Sequence, residues 1–231
     1  MKNRSTDSPI FPSPNSDALK PDLFQGIYKG KRVLVTGHTG FKGSWLTLWL
    51  HKLSADVTGL ALAPNTKPNH FDLIGLNALI HNIEGDIRDA QTVQAAFAVV
   101  QPEIVFHLAA QPLVRDSYDD PKTTFDTNIG GTVNILEAIR NCPSVKSVII
   151  VTSDKCYENK EWVWGYREND PMGGHDPYSA SKGAMEIVCS AYLRSFFQQG
   201  ARGPHIGFAT VRAGNVIGGG DWAKDRIIPD C

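Results

Sequence analysis

The chain has 231 residues, of which 42% are apolar and 20% charged, enough for one complete domain and the beginning of a second. Its 23 lysines and arginines against 24 acidic residues give a net charge of −1, without the basic excess typical of proteins that bind a phosphate backbone. No apolar run approaches the roughly 20 residues of a membrane span, and the polar, proline-rich residues 1–22 do not resemble a signal peptide. We therefore expect neither nucleic acid nor a membrane as a partner.

In chain order, the first predicted segment is a disordered tail over residues 1–25, where prolines among Ser, Asn and Asp cannot build a core. After it, short apolar runs alternate with longer amphipathic segments. Continuous apolar strands alternating with helices predict a doubly wound α/β fold with a parallel sheet covered on both faces. The strands are predicted at residues 32–36, 56–62, 80–84, 104–108, 147–152 and 207–212, and the helices at 41–53, 90–100, 122–140 and 178–197.

Two of the predicted helices carry informative side chains. In the first, Trp45, Leu48 and Trp49 share one side and are expected to form its apolar face. In the helix at 122–140, the polar Asn128 interrupts an apolar pattern. Asn128 could hold a water or a backbone group, or make a hydrogen bond that only packs two helices together. The apolar positions of that helix are Phe125, Ile129, Val133, Leu136 and Ile139.

Three glycines, Gly37, Gly40 and Gly43, follow the first strand directly with the spacing G-x-x-G-x-x-G. Glycines at this place let the backbone turn tightly and approach a pyrophosphate, while the following helix offers free N–H groups at its N-terminus. The alternative is a simple glycine-rich turn. The order Lys-Gly-Ser at residues 42–44 differs from the Gly-Lys-Ser of a phosphate-binding loop, which argues against a kinase or ATPase.

Three later strands are also followed by residues that could contact a ligand. Ligands of open parallel sheets bind beyond the carboxyl ends of the strands. Asp86 could accept a hydrogen bond from an adenine amino group, or cap the next helix, a role that suits Asp89 better. Small residues at 107–111 leave room for a cofactor, or reflect tight packing. The polar run at 152–155 indicates chemistry, with a solvated turn as the alternative.

Tyr178 and Lys182 stand four residues apart and therefore share one face of the last predicted helix. An ammonium beside a phenol favours the phenolate, which makes the tyrosine a usable base for an alcohol proton. The alternative is a surface pair. The glycine motif upstream strengthens the catalytic interpretation.

The cysteines and histidines do not form a metal-binding pattern. No C-x-x-C is present, and none of the seven histidines makes a metal-spaced pair. We therefore expect no metal site and free thiols in a reducing cytoplasm. The cysteines are Cys142, Cys156, Cys189 and Cys231.

Together these residues resemble the extended short-chain dehydrogenase/reductase superfamily, and within it the nucleotide-sugar 4,6-dehydratases, above all the branch that acts on CDP-glucose. The resemblance covers about residues 24–230 and implies a Rossmann-like NAD-binding domain over 26–231, with the start of a substrate-binding region. It is carried by VTGHTGFKGSWL (35–46), HLAAQPLVRDSY (107–118), TSDKCYENKEWVWGYRENDPMGGHDPYSASK (152–182) and RAGNVIGGGDWAKDRIIPD (212–230).

The resemblance implies a set of site residues. In the family, Ser153, Tyr178 and Lys182 would oxidise C4 of the sugar. Asp154 would protonate the departing C6 hydroxyl. Asn215 and Arg226 would lie near the sugar and its phosphates. NAD would be held by Gly37, Thr39, Gly40, Phe41, Gly43, Asp86, Ile87, Leu108, Ala109, Ala110, Asn128, Tyr178 and Lys182.

The base at C5 is a departure from most of the family. Most members carry a glutamate there, whereas this chain has Lys155, as the CDP-glucose branch does. A lysine can act as that base only when its pKa is depressed. The second strand ends without the acidic residue that often binds the NAD ribose. The preference for NAD over NADP therefore rests on the resemblance alone.

The resemblance also implies a homodimer, built on the helices at 122–140 and 178–197, and a step in synthesis of bacterial surface polysaccharide (O-antigen). The family pattern continues past residue 231 into a substrate lobe, so we expect a C-terminally truncated chain. Two alternatives stay open. One is a sugar-nucleotide 4-epimerase, which would not need Asp154 and Lys155; the other is a truncated chain that binds NAD without turnover.

Overall fold

A single parallel sheet of six strands organises the protein. The structure is a computed structural model that describes residues 23–203 and 205–225. The strand order is β3-β2-β1-β4-β5-β6, so the chain runs outward from β1 to one edge and then returns to build the other half. The strands are β1 (Arg32–Thr36), β2 (Asp56–Ala61), β3 (His81–Glu84), β4 (Ile104–His107), β5 (Ser147–Val151) and β6 (Gly207–Val211).

Helices connect the strands and cover the sheet, as predicted. Short 3-10 turns at Leu23–Gly26, Leu76–Ala78 and Asp154–Cys156 complete the connections. The helices are α1 (Phe41–Lys52), α2 (His70–Leu73), α3 (Ala90–Val100), α4 (Val114–Asp119), α5 (Pro121–Phe125), α6 (Thr132–Arg140) and α7 (Pro177–Tyr192).

The predicted fold class is confirmed, and the strand boundaries agree to within one residue. The central strands β1 and β4 are apolar because both faces of the sheet are buried there. The edge strand β3 is instead polar and largely exposed. Val33 and Val35 of β1 pack with Leu50 on one face. Leu34 and Val105 pack with residues of α6 and α7 on the other. Since β1 and β4 are neighbours whose following helices leave in different directions, a crevice opens at their carboxyl ends.

The predicted apolar face of α1 is wrong. Trp45 and Trp49 are 46% and 42% exposed, whereas Ser44, Thr47 and Leu50 are buried. Small side chains let α1 lie close to the sheet, and the two indoles find partners outside it. Trp45 stacks on His70 of α2 with the ring centroids 4.3 Å apart.

The predicted helix at 122–140 is continuous but not regular. It begins at Pro121, where the Asp120 carboxylate accepts a hydrogen bond from the N–H of Thr123. Between α5 and α6, residues Asp126–Gly131 form a wide π-helical turn. Such turns carry one extra residue and concentrate at functional sites. The turn contains the buried Asn128.

The N-terminal prediction is only partly tested. Residues 1–22 of the predicted tail lie outside the described residues. Leu23–Gly26 form a turn in which the centre of the Phe24 ring lies 5.6 Å from that of the Trp49 ring. The disordered tail stays a prediction. Within 23–203 and 205–225, no helix has both the length and the apolar character to cross a membrane.

Candidate active site

The glycine-rich turn between β1 and α1 is shaped by backbone contacts. Gly37 has φ +77°, and a Cβ there would lie 2.6 Å from the amide nitrogen of Ala109. A Cβ on Gly43 would lie 2.0 Å from the carbonyl oxygen of Gly37. A Cβ on Gly40 would have only that same oxygen nearby, at 3.4 Å. Gly37 and Gly43 are therefore needed to close the turn, whereas Gly40 leaves space beside it.

That space is part of a cleft of about 400 Å³ at the carboxyl ends of the strands. The N-terminus of α1 faces it, and Gly40 at the N-cap has no side chain to satisfy the first-turn N–H groups. These donors and the helix dipole suit an anion such as a pyrophosphate. Ten of the predicted cofactor residues line the cleft: Gly37, Thr39, Gly40, Phe41, Gly43, Asp86, Ile87, Leu108, Ala109 and Ala110.

We predict that Gly40→Val lowers NAD affinity at least tenfold, because a branched side chain would fill the approach to the helix N-terminus. Thermal stability should change little, since Gly40 has φ −76° and an uncrowded Cβ position. Calorimetric titration with NAD measures the affinity. Gly43→Ala is the matched variant: its added carbon collides with the Gly37 carbonyl, so it should lower the melting temperature as well. Unchanged NAD affinity in Gly40→Val would contradict this site.

One end of the cleft is bounded by a charged pair. The Asp86 carboxylate accepts hydrogen bonds from the backbone N–H of Arg88 at 2.9 Å and from its Nη2 at 2.6 Å. The Arg88 side chain holds the pKa of Asp86 below its usual value. Asp89 caps α3 by accepting the N–H of Gln91, as predicted.

A chain of buried hydrogen bonds supports the floor of the cleft. The Thr132 hydroxyl donates to the Asn128 carbonyl at 2.6 Å, so it must accept from His107 Nε2, 3.1 Å away. The Nδ1 atom of His107 then accepts from the Thr36 hydroxyl at 2.6 Å. This fixes the tautomer of His107, and burial, with a smaller contribution from Lys182, lowers its pKa to about 3.

Asn128 holds a backbone segment and also makes a hydrogen bond between helices, so it plays both of the roles that the sequence left open. Its Oδ1 accepts the N–H of Gln111 at 2.8 Å, and its Nδ2 donates to the Gln111 carbonyl at 3.1 Å and to Ser181 Oγ at 2.8 Å. These contacts fasten the segment after β4 to α7. Asn128 is not among the residues that line the cleft, and its contact with the cofactor stays a prediction.

Tyr178 and Lys182 lie on α7, which begins sharply. The Asp176 carboxylate accepts the N–H of Ser179 at 2.9 Å, and Pro177 occupies the first helical position. Tyr178 is 9% exposed and Lys182 only 3%, with the ammonium nitrogen 5.9 Å from the centre of the Tyr178 ring. Burial, with a contribution from the positive charge of Lys42, lowers the pKa of Lys182 to about 7.

The low pKa of Lys182 predicts a pH dependence of stability. Above pH 7 the folded protein releases this proton, while the unfolded chain keeps it up to about 10.5, so the free energy of unfolding should rise with pH. Between pH 7 and about pH 8.5 we expect a gain of about 1.5 kcal/mol. Lys182→Met should abolish this gain. Urea denaturation at several pH values measures it, and an equal slope in wild type and variant would contradict the shift.

The predicted acid and base lie at the end of β5, beside the start of α7. Ser153 is buried; its hydroxyl donates to Asp154 Oδ1 at 3.0 Å and accepts the N–H of Lys155 at 3.2 Å. The side chains of Asp154 and Lys155 are exposed. The backbone N–H of Asp154 donates to the Ala213 carbonyl at 3.2 Å, which ties the run after β5 to the segment after β6.

Residues 34–199 match the family model described as GDP-mannose 4,6 dehydratase. The chain belongs to this family. The matched residues include the glycine turn and the helix that carries Tyr178 and Lys182.

Individual family relatives show how far the likeness extends. A CDP-glucose 4,6-dehydratase of Salmonella typhimurium is 57% identical over 207 residues, which cover 89% of this chain and 58% of that protein. The chain thus spans little more than half the length of this curated relative.

Two solved structures show the same fold. Epimerase Mth375 of Methanothermobacter thermautotrophicus superposes with a TM-score of 0.71 at 25% identity, over 88% of this chain and 57% of that one. A UDP-glucose 4-epimerase of Thermus thermophilus, solved in complex with NAD, gives 0.64 at 28% identity, over 78% and 54%.

The lining does not include Ser153, Tyr178 and Lys182, which are buried. Asn215 is exposed on the segment after β6, and Arg226 lies outside the described residues. Sequence reasoning missed several lining segments, because the placement of loops has no local signal in the sequence. These are residues 61–63, 65–66, 69–70 and 220–223, together with Arg88, Asp116 and Thr127.

Proposed function

We propose that this protein converts CDP-glucose to CDP-4-keto-6-deoxyglucose and water, with bound NAD. The observation that carries the proposal is the placement of Asp154 and Lys155 at the end of β5, next to the helix that holds Tyr178 and Lys182. An acid and a base beside an oxidation pair are what a dehydratase needs and a 4-epimerase does not. The 57% identity to a CDP-glucose 4,6-dehydratase supports the choice of substrate.

The residues of the glycine turn fit NAD. First-turn N–H groups of α1 and the space beside Gly40 would receive the pyrophosphate, and Asp86 and Ile87 would lie at the adenine end. When bound, NAD supplies a transient acceptor for the C4 hydride and returns it to C6, so no external reductant is consumed. The Thermus epimerase, solved with NAD, supports this cofactor.

The oxidation step needs a group that takes the proton of the C4 hydroxyl. We assign this role to Tyr178, which is held at the start of α7 by its N–H bond to Ser117 Oγ at 3.2 Å. The Lys182 ammonium, 5.9 Å from the ring centre, stabilises the phenolate when it is protonated. Ser153 would bind the same hydroxyl oxygen.

The elimination step follows because a ketone at C4 makes the C5 proton acidic. Lys155, or a water that it orients, would remove this proton. Asp154 would then give its proton to the C6 hydroxyl, which leaves as water. Both side chains are exposed at the open side of the site, where a sugar can reach them.

A product assay tests the proposal. We would incubate the chain, and a fusion that adds the C-terminal part of the Salmonella relative, with CDP-glucose and NAD. A 4-keto-6-deoxy product absorbs in alkali as an enone, whereas a 4-epimer does not. Enone formation supports the dehydratase; a 4-epimer without enone would instead establish the epimerase. If both the chain and the fusion bind NAD but form neither product, the proposal is wrong and the protein binds NAD without turnover.

We further propose that the protein acts as a homodimer through the face formed by the 121–140 helix and α7. Phe125 and Ile187 on this face are 37% and 63% exposed. Met185, on the same helix as Ile187, is fully buried in the core and is not available to such a face. Ile187→Glu should convert a dimer into a monomer in light scattering at tens of micromolar, while Val99→Glu, an 82% exposed site on α3, should not. A monomeric wild type would contradict the dimer.

The compartment proposed is the cytoplasm, where thiols stay reduced. Cys142, Cys156 and Cys189 are free and buried. Burial raises the pKa of Cys156 to about 11 and that of Cys189 to about 12, so neither thiol is reactive at neutral pH. Cys231 lies outside the described residues.

A further inference from the structure

A buried carboxylate lies one helical turn beyond Lys182 and is not used by the proposed mechanism. Glu186 is 4% exposed and projects from α7 toward the carboxyl ends of β5 and β6. Its Oε2 accepts from Arg212 Nη2 at 2.8 Å and from the Thr210 hydroxyl at 2.8 Å. Its Oε1 accepts from the Thr152 hydroxyl at 2.5 Å.

The Thr152 bond reaches the catalytic segment directly. Thr152 is the residue before Ser153, and it is 3% exposed. Its hydroxyl lies closer to Glu186 Oε1, at 2.5 Å, than to the Val211 carbonyl, at 3.3 Å, so the shorter bond ties the end of β5 to α7. The Asp154 that follows is fixed on its other side by the Ala213 carbonyl.

Arg212 extends the same network to the long segment between Asp154 and Tyr178. Its Nη1 donates to Tyr157 Oη at 2.8 Å and to the Glu168 carbonyl at 3.0 Å. The guanidinium lies 5.0 Å from the centre of the Tyr157 ring. The carboxylate of Glu186 therefore sits where α7, the end of β5 and this segment meet.

The oxidation pair and the elimination pair are carried by different elements. Tyr178 and Lys182 move with α7, whereas Asp154 and Lys155 move with the end of β5. A proton donor displaced by about 1 Å can lose a factor on the order of 10² in rate. Whatever sets the spacing of these two elements therefore controls the elimination step.

We propose that Glu186 is a positioning residue which, through Thr152, holds Asp154 in line with the sugar that Tyr178 and Lys182 oxidise. The proposal rests on the dehydratase function proposed above. The alternative is that Glu186 and its hydrogen-bond partners only stabilise the fold. Variants of Thr152 and Thr210, which bind the same carboxylate, distinguish the two roles.

The test compares Thr152→Val with Thr210→Val. Each variant removes one hydroxyl from Glu186 and keeps the shape and the Arg212 ion pair, but only Thr152 adjoins Ser153. In the chain itself, hydrogen–deuterium exchange of the amides of residues 153–156 should accelerate at least fivefold in Thr152→Val. In Thr210→Val it should stay within twofold of wild type.

Turnover gives the second readout, in the fusion that adds the C-terminal part of the relative. Thr152→Val should lower kcat for CDP-glucose about tenfold, with KM within twofold. CDP-6-deoxy-6-fluoroglucose should restore the rate, because fluoride leaves with less help from an acid. Thr210→Val should match wild type on both substrates.

The outcomes separate the two proposals. Suppose that wild type turns over CDP-glucose. If Thr152→Val and Thr210→Val then have the same kcat, or if Thr152→Val slows the fluoro substrate as much as CDP-glucose, the positioning role is wrong. The dehydratase function is unaffected by either result. If wild type forms no enone, the dehydratase is wrong, and the positioning role that rests on it falls too. Equal exchange of residues 153–156 in both variants overturns the positioning role whatever the activity.

Discussion

Tyr178→Phe is expected to lower kcat for CDP-glucose by a factor on the order of 10² to 10⁴, the range that general acid–base groups contribute. The substitution removes the phenolic oxygen that would take the C4 hydroxyl proton and keeps the ring that packs beside Lys182. NAD affinity should stay within about twofold, since Tyr178 does not line the cleft around the glycine turn. Turnover of the fusion and titration of the chain with NAD measure the two effects.

A matched control is Tyr166→Phe. Tyr166 stacks on Tyr157 and accepts a hydrogen bond from the N–H of Lys160. It lies on the segment between Lys155 and Tyr178 and has no assigned part in the chemistry. It should keep kcat within about threefold. A loss of less than fivefold in Tyr178→Phe would remove Tyr178 from the proton-transfer role.

Glu186→Ala is expected to destabilise the chain by about 3–5 kcal/mol, because it leaves the mostly buried Arg212 without its counter-charge. The side chains are 3% and 13% exposed in this pair. Glu158→Ala is the control: its pair with Lys160 is 41% exposed on both sides, and such pairs contribute about 0–1 kcal/mol. Urea denaturation at neutral pH measures both losses. A loss in Glu186→Ala no larger than that in Glu158→Ala would contradict the buried-pair energetics.

The same residue predicts acid sensitivity. Burial alone would raise the pKa of Glu186, but hydrogen bonds from Arg212, Thr152 and Thr210 outweigh it and leave the pKa below its usual value. A carboxyl with a lower pKa in the folded state stabilises fully above its unfolded pKa. That stability is lost as the pH falls through the folded pKa. Wild type should therefore lose more stability than Glu186→Ala on acidification below about pH 4.5.

The sequence predicted those parts of the site that depend on local chain geometry. Gly37, Gly40 and Gly43 were found because a tight turn between strand and helix restricts the residue types that fit. Tyr178 and Lys182 were found because a four-residue spacing fixes a shared helix face. The ends of the central strands β1 and β4 were correct to one residue because buried parallel strands are continuously apolar.

The misses have equally physical causes. Trp45 was assigned to the buried face because apolar residues usually are, yet close packing of α1 on the sheet selects Ser44 and Thr47 instead. The loop at 220–223 contacts the cleft across a long sequence separation, which no local pattern encodes. Glu186 was not predicted, because its partners belong to or follow β5 and β6, far from it in the sequence.

The wide turn at Asp126–Gly131 makes this part of the chain intolerant of length changes. Its extra residue sets the phase between α5 and α6. Deleting one residue there would leave the helix continuous but rotate everything before it by about 100°. Thr124, now buried, would swing toward solvent, and the paired bonds from Asn128 to Gln111 could not form. A single deletion in a regular-looking helix would thus act on the cleft, whereas a deletion of the exposed Gly165 lies in a loop and rotates no helix.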